Sequence, residues 1–272
     1  MNDKSDWVET RQLEGRKAVL EALKHGRPID RLLLRKEADG ALTGTLKMIA
    51  AKAREQGVVV TTVERPKLDA LAQSGNHQGV IALCPAKDYV DVKDILSAAA
   101  ERGEPPFVVV LDGITDPHNL GAILRTAEAG GVHGVIISKR RAVGLTGAVS
   151  KVSAGAVEYM PVARVTNISR VVEDLKKEGL WVVCGTGPSG GTGPSGGTGT
   201  SSDTSLYTAD LKGAVALVIG AEGEGVSRLV REKADFNVFI PMLGKISSLN
   251  ASVAAGIMIY EVVRTRVLQQ EQ

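Results

Sequence analysis

FVVVLDGITDPHNLGAILRTAEAGG, residues 107–131, decides how the rest of the chain is read. Its opening, FVVVLDGI, is a continuous apolar run, which a strand needs when both of its faces are buried in a parallel sheet. Asp112 closes the strand, and Asp116 and Asn119 are residue types that cap a following helix. Inside that helix Arg125 stands beside apolar Ile123, Leu124 and Ala127. The same alternation returns in HGVIIS (133–138), LWVVCGT (180–186), VALVIGAEG (215–223) and FNVFIPM (236–242). Strands alternating with helices predict a parallel sheet covered on both sides.

Upstream, from Gly15 to Lys87, the apolar period switches repeatedly. GRKAVLEALKHG, LKMIAAKAREQG and KLDALAQ read as helices, and DRLLLRK, VVVTTV and GVIALC as strands. These make a smaller alternating α/β unit. Residues 86–106 carry a short helical stretch ending in Gly-Glu-Pro-Pro, which stops a helix and starts an extended segment. The expected organisation is therefore a first domain at 1–87, a linker at 88–106 and a second domain at 107–272.

A chain of 272 residues suits two such domains, and 43% hydrophobic with 24% charged residues is ordinary for a globular protein. Aromatics are only 3%, so a binding surface built mainly on base stacking is not expected. The net charge of +2 excludes a polycation that grips nucleic acid everywhere, and any RNA contact must be local. Arg11, Arg16, Lys17, Arg27, Arg31, Arg35 and Lys36 punctuate the first domain, either as solvated faces or as a basic surface for RNA phosphates. The two cysteines, Cys84 and Cys184, have neither metal-site nor disulfide-framework spacing and read as buried strand residues. No metal is expected. No signal region and no apolar run long enough to span a bilayer is visible, so the expected compartment is the cytoplasm, without membrane association.

One segment breaks the pattern. TGPSGG stands twice in succession from Thr186 to Gly197, followed by TGTSSD. It matches neither phosphate-loop arrangement between strand and helix, and the exact repeat reads as a flexible Gly/Ser/Pro insertion at 186–203, with engineering one possible origin.

Three segments end a buried strand in polar residues, which is where open α/β sheets place their ligands. The first is the opening stretch. In the second, VALVIGAEGEGVSRLV (215–230), Gly220, Gly223 and Gly225 allow a tight turn and close approach to the backbone, and Glu222 projects from it. In the third, FIPMLGKISSLNASVAAGIMIYEVVR (239–264), a strand ends at Pro241 and a loop with Gly244, Ser247, Ser248 and Asn250 leads into an apolar helix. Neither serine sits in a nucleophile elbow or has an evident histidine partner, so hydrolase chemistry is not expected.

NLGAILRTAEAGG, IGAEGEGVS and IPMLGKISSLNASVAAGIMIYE, in this order, resemble the three motifs of the SpoU branch of SPOUT methyltransferases, the TrmH-like and RlmB-like ribose 2'-O-methyltransferases. The resemblance runs from about Leu13 to Arg266, and NHQGVIAL (76–83) belongs to a unit similar to the RNA-binding substrate domain of RlmB-like members. It implies an α/β fold with a deep trefoil knot in its C-terminal parallel sheet, a homodimer, and S-adenosylmethionine as cofactor. By the same resemblance, Thr186, Gly220, Ile240 and Leu249 hold the cofactor, largely through backbone, and Asn119, Arg125, Glu222, Ser248 and Asn250 are catalytic.

The implied reaction is methylation of a ribose 2'-hydroxyl, on a guanosine of large-subunit (23S) rRNA. The alternatives are a tRNA ribose methyltransferase and a knotted RNA-binding or ribosome-assembly factor with little catalysis. Lys139, Arg140 and Arg141, after HGVIIS, either contact RNA backbone or form a solvated turn. The insertion after Thr186 departs from the family, whose connection there is short.

Overall fold

A computed structural model describes residues 11–36, 42, 44–72, 76–85, 87–187, 203–246 and 248–270. They divide into two compact units. One holds the residues up to Tyr89 together with Gly144–Ser150, and the other holds Val90–Val143 and Lys151 onward.

The first unit runs β1 (Arg11–Glu14), α1 (Arg16–Lys24), β2 (Arg31–Arg35), α2 (Gly44–Glu55), β3 (Val59–Val63), α3 (Arg65–Leu71) and β4 (Val80–Cys84). Its sheet has the order β1-β4-β2-β3, with β2 and β3 parallel and β4 antiparallel to both of its neighbours. The strand period of two explains why β4 is buried at every position. Val80, Ala82 and Cys84 enter the core formed with Val19 and Leu23 of α1 and Ile49 of α2. Ile81 and Leu83 face the other way, toward Leu33, Val63 and Leu68.

The second unit opens with α4 (Val92–Glu101), inside the stretch expected to be a linker. Asp91 and Asp94 form a capping box at its start, and its Ile95 is buried in the core of this unit. There follow β5 (Phe107–Asp112), α5 (Pro117–Ala129), β6 (Gly134–Ser138), α6 (Gly147–Val152, whose residues up to Ser150 belong to the first unit), α7 (Ala156–Tyr159), β7 (Val162–Val165), α8 (Ile168–Lys177) and β8 (Trp181–Thr186). The last elements are β9 (Thr204–Ser205), β10 (Val215–Gly220), α9 (Arg228–Arg231), β11 (Phe236–Phe239) and α10 (Ala251–Gln270). The repeat from residue 188 to 202 lies outside the described residues, as does Ser247.

Every pairing in the larger sheet is parallel, in the order β7-β6-β5-β10-β8-β11-β9. The expectation from the 107–131 stretch holds: β5 and β10 are each buried at their first five positions. On one face, Val108, Val110, Ile136, Val182, Cys184, Ala216 and Val218 pack with Ile95 of α4, Val172 and Leu175 of α8 and Val230 of α9. The alternate residues Val109, Leu111, Leu217 and Ile219 are buried on the opposite face. Each fully buried side chain of this size contributes about 1.5–3 kcal/mol.

On that opposite face α5 and α10 approach closely, and a Cβ on Gly130 would lie 2.8 Å from Cγ2 of Ile259. The far end of α10 is tied to the sheet's N-terminal edge. Arg266 donates to the carbonyls of Pro106 (3.1 Å) and Gly213 (2.8 Å), and its guanidinium lies 5.0 Å from the centre of the Phe107 ring. No helix among the described residues is long and apolar enough to cross a membrane.

This order places the site. From β5 the chain moves outward to β6 and β7, then crosses to β8 on the other side, and β10 later returns to the gap between β5 and β8. The reversal leaves a crevice at the carboxyl ends of the strands, where ligands bind in open α/β sheets.

Candidate active site

The register aligns the carboxyl ends of the central strands. Gly220 of β10 stands opposite Asp112 of β5, and Thr186 of β8 stands opposite Phe239 of β11. Around these ends lies a cavity of about 350 Å³, bounded on one side by Ile240, Met242, Ser248 and Leu249 and the start of α10. Thr186, Gly220, Glu222, Ile240, Ser248 and Leu249 all line it. The structure thus gathers in one place six residues that stand in three separate sequence segments.

Gly220 is required by a close approach. The turn after it folds back through paired hydrogen bonds between Ala221 and Gly225, 3.2 and 2.8 Å. A Cβ on Gly220 would stand 2.0 Å from the carbonyl carbon of Gly225 and 2.1 Å from the nitrogen of Val226, where no relaxation of a side chain can relieve the overlap. Gly223 and Gly225 hold φ of 82° and 68° within the same turn. Glu222, at its tip, is exposed. The hydroxyl of Thr186 donates to the carbonyl of Val238 at 3.2 Å, fixing the rim between β8 and β11.

Asn119 and Asn250 meet beside the cavity. Asn119 is expected from sequence as a cap, but it lies within the first turn of α5 and is buried, while Asp116 caps that helix by accepting from the N–H of His118 at 3.0 Å. The carboxamide of Asn119 serves another element: its Oδ1 accepts from Nδ2 of Asn250 at 2.9 Å. Asn250 in turn caps α10, its Oδ1 accepting from the N–H (2.9 Å) and the hydroxyl (2.6 Å) of Ser252. Those donors set which way the Asn250 amide faces.

Arg125 is not brought to the cavity. It is exposed on α5 and makes no hydrogen bond or ion pair among the described residues, as a capped helix with one exposed arginine predicts. Six residues separate it from Asn119, which places the two on different sides of the helix.

Several contributors were not legible in the sequence. Asp112 accepts at Oδ2 from the N–H of Ser227 at 2.9 Å, tying the end of β5 to the loop after the glycine turn. A Cβ on Gly185 would meet Sδ of Met258 at 2.9 Å, so β8 and α10 approach closely and a larger residue there would displace the Met258 side chain. A second cleft of about 710 Å³ adjoins the cavity, sharing Ala221, Glu222 and Gly225 with it and lined by Arg140, Arg141 and Arg228. Neighbouring Cys184 is inert: burial pushes its thiol up to about 12, so it carries no thiolate at neutral pH.

A profile described as the SpoU rRNA methylase family matches residues 106–260, more than half of the chain. The chain belongs to the SpoU methylase family. In this SpoU chain residues 12–90 match a second profile, RNA 2'-O ribose methyltransferase substrate binding. YacO of Bacillus subtilis (strain 168), assigned to the TrmH family of tRNA/rRNA methyltransferases, is 46% identical over 252 residues, covering 93% of this chain and 94% of that protein. A Staphylococcus aureus (strain MSSA476) protein with the same assignment is 44% identical, covering 95% and 98%. Among solved structures, an AdoMet-bound rRNA methyltransferase from Sinorhizobium meliloti is 26% identical with a TM-score of 0.53, covering 93% of this chain and 86% of its own. The AviRb methyltransferase of Streptomyces viridochromogenes, 24% identical with a TM-score of 0.55, shares the fold over 94% and 90%.

Proposed function

We propose that the protein transfers a methyl group from S-adenosylmethionine to a ribose 2'-hydroxyl of RNA, with a guanosine of large-subunit rRNA as the target. The observation that carries this reading is the convergence of Thr186, Gly220, Ile240 and Leu249 with Glu222 and Ser248 on one cavity at the sheet's switch point.

The cavity fits the cofactor chemically. Gly220 leaves backbone accessible at its wall, and Ile240, Leu249 and Met258 offer an apolar lining for an adenine whose polar edge meets main-chain groups. When bound, S-adenosylmethionine supplies an electrophilic sulfonium methyl. Everything else falls to this chain. Ser248 and the Asn119–Asn250 pair orient the ribose so that its oxygen faces the methyl in line, and such positioning supplies several kcal/mol of a barrier. Arg125 stabilises negative charge that develops on the ribose oxygen or holds an adjacent phosphate. A guanidinium stays charged in water and is a poor proton acceptor.

The adjoining cleft suits the RNA strand. Arg140, Arg141 and Arg228 supply guanidinium groups for phosphates beside the carboxylates of Asp112, Glu222 and Glu224, and Glu222 belongs to both spaces, so a nucleotide held there presents its ribose to the cofactor cavity. The first unit, residues 1–87, serves as the RNA-binding substrate domain, and the trefoil knot belongs to the second. We assign the protein to the cytoplasm and to a homodimer. Val253, Tyr260 and Val267 repeat every seven residues along α10 and are about half exposed, which suits burial against a second copy. A second copy also accounts for Arg125, which does not reach the cavity of its own chain.

The test is transfer of labelled methyl from S-adenosylmethionine to total rRNA and, separately, total tRNA, followed by nuclease digestion to place the label on ribose or base. Label on rRNA ribose is expected. Label on tRNA ribose keeps the chemistry and moves the substrate. No transfer, with no cofactor binding by calorimetry, overturns the reading.

A further inference from the structure

The basic residues of the first unit are not spread evenly over it. Arg16 at the start of α1, Arg35 at the end of β2 and Arg65 at the start of α3 come together around a polar hollow of about 520 Å³, floored by His77, Gln78 and Gly79. Arg27 and Arg31 do not join them. Arg31 opens β2 and Arg35 closes it, so the two lie about 13 Å apart along the strand.

This hollow is built. Gln78 holds a left-handed φ of 51°, a conformation costing about 1 kcal/mol or more for a residue with a Cβ. It is held there by Arg16 from two directions, the Arg16 N–H donating to Oε1 of Gln78 at 3.1 Å and its Nε donating to the Gln78 carbonyl at 3.1 Å. Gly79, with φ of 82°, donates its N–H to Nδ1 of the buried His77 at 3.0 Å, and Nε2 of His77 meets Asp69 at 2.8 Å. A Cβ on Gly79 would press at 3.3 Å on both Arg35 and Leu46.

Charge then decides the ligand. Among the described residues that line the hollow, the three arginines stand with one carboxylate, Asp69, which already meets His77 and stands 3.6 Å from Nε of Arg65. Arg16 uses only its Nε on the protein, leaving both terminal nitrogens for a ligand. Backbone N–H groups at Arg16 and Gly79 are engaged, so the donors turned to a ligand are the terminal nitrogens of Arg16, with the exposed Arg65 beside them, and planar guanidinium matches phosphate oxygens in pairs. No aromatic residue among the described residues lines the hollow, so these residues offer no platform for a base.

We infer that Arg16, Arg35 and Arg65 form a phosphate-binding site in the first unit, one that takes a phosphodiester of the RNA backbone and anchors the strand without reading its sequence. The inference rests on the proposed function only for the identity of the polymer as RNA.

The experiment is binding of the full-length protein to total rRNA over a series of KCl concentrations, comparing wild type with Arg16→Gln, Arg65→Gln and, as a control of equal charge, Arg31→Gln. Each pocket variant is expected to weaken binding about tenfold, the effect of one charge-assisted hydrogen bond. Each should also flatten the slope of log affinity against log salt by about 0.7–0.9, as loss of one phosphate contact does. The control should change neither by as much. Arg65 is exposed, so its replacement keeps the test valid if Arg16→Gln proves unstable. Unchanged slopes, equal losses in the Arg31 variant, or polyglutamate competing as well as polyuridylate would each overturn the site as an RNA phosphate anchor. Cofactor calorimetry and methyl transfer on the same preparations separate the two claims. Pocket-dependent RNA binding without methyl transfer leaves this site standing while the proposed activity falls.

Discussion

Asn250 donates through Nδ2 to Oδ1 of Asn119 at 2.9 Å, joining the first turn of α5 to the cap of α10 across 131 residues of chain. Because Asn250 also receives the free donors at the start of α10, one side chain both ends a loop of the cavity and holds two helices together. Asn250→Ala removes a helix cap, worth about 1 kcal/mol, and leaves the buried Asn119 without its partner, worth a further 1–3 kcal/mol or so. Asn250→Asp keeps the cap and loses only the second contribution. Urea unfolding of both variants checks this, and equal losses would refute a separate role for the Asn119 contact.

Gly220→Ala is expected to be among the most damaging single substitutions, costing more than about 4 kcal/mol or abolishing folding, because the new methyl overlaps backbone of Gly225 and Val226. Gly223→Ala is the matched control. Nothing lies within 4 Å of its Cβ position, so only the left-handed φ opposes it, at about 1 kcal/mol. Thermal denaturation and cofactor calorimetry compare the two, and similar behaviour would show that the close approach at Gly220 is not what demands glycine.

Arg125 allows the proposed catalytic role to be tested apart from stability. It is exposed and unpaired among the described residues, so Arg125→Ala should leave the unfolding midpoint within about 0.5 kcal/mol of wild type. Methyl transfer is expected to fall by about a hundredfold or more, the loss typical of removing one group that stabilises developing charge. Arg125→Lys asks which property matters, since near-normal transfer would show that charge alone suffices and that the fork geometry is dispensable.

His133 gives the fold a pH dependence. Its ring is fully buried, accepting at Nδ1 from the N–H of Phe107 at 3.0 Å and meeting Oε2 of Glu104 with Nε2 at 3.0 Å. Burial holds its pKa below the ordinary histidine value, against the opposing pull of Glu104. A depressed histidine stabilises the fold fully above the unfolded value of about 6.5, and this stability is lost as pH falls through the folded value. Unfolding midpoints should therefore decline as pH falls below about 6.5. Glu104→Gln removes the group that favours the charged ring, so the decline should steepen, and a shallower decline would contradict this assignment.

Much of this protein follows from local sequence. Unbroken apolar runs such as Phe107–Leu111 and Val215–Ile219 require burial on both faces, and their alternation with helices leaves a parallel sheet as the solution. Glycines spaced as in Gly220, Gly223 and Gly225 mark a turn on which a ligand approaches backbone. The ordered motifs name the residues Thr186, Gly220, Glu222, Ile240, Ser248 and Leu249, which share a cavity.

Tertiary structure alone decided the rest, because periodicity reports how each segment is buried and not which segments meet. The return of β10 between β5 and β8 sets the switch point, and no local pattern encodes a strand's neighbours. Asn119 reads as a cap from its position, and only the arrival of Asn250 turns it into an acceptor for another helix. The arginines of the first unit look alike along the chain. Folding carries Arg35 to the same end as Arg16 and Arg65 and leaves Arg31 at the other, since a strand separates its ends by its own length.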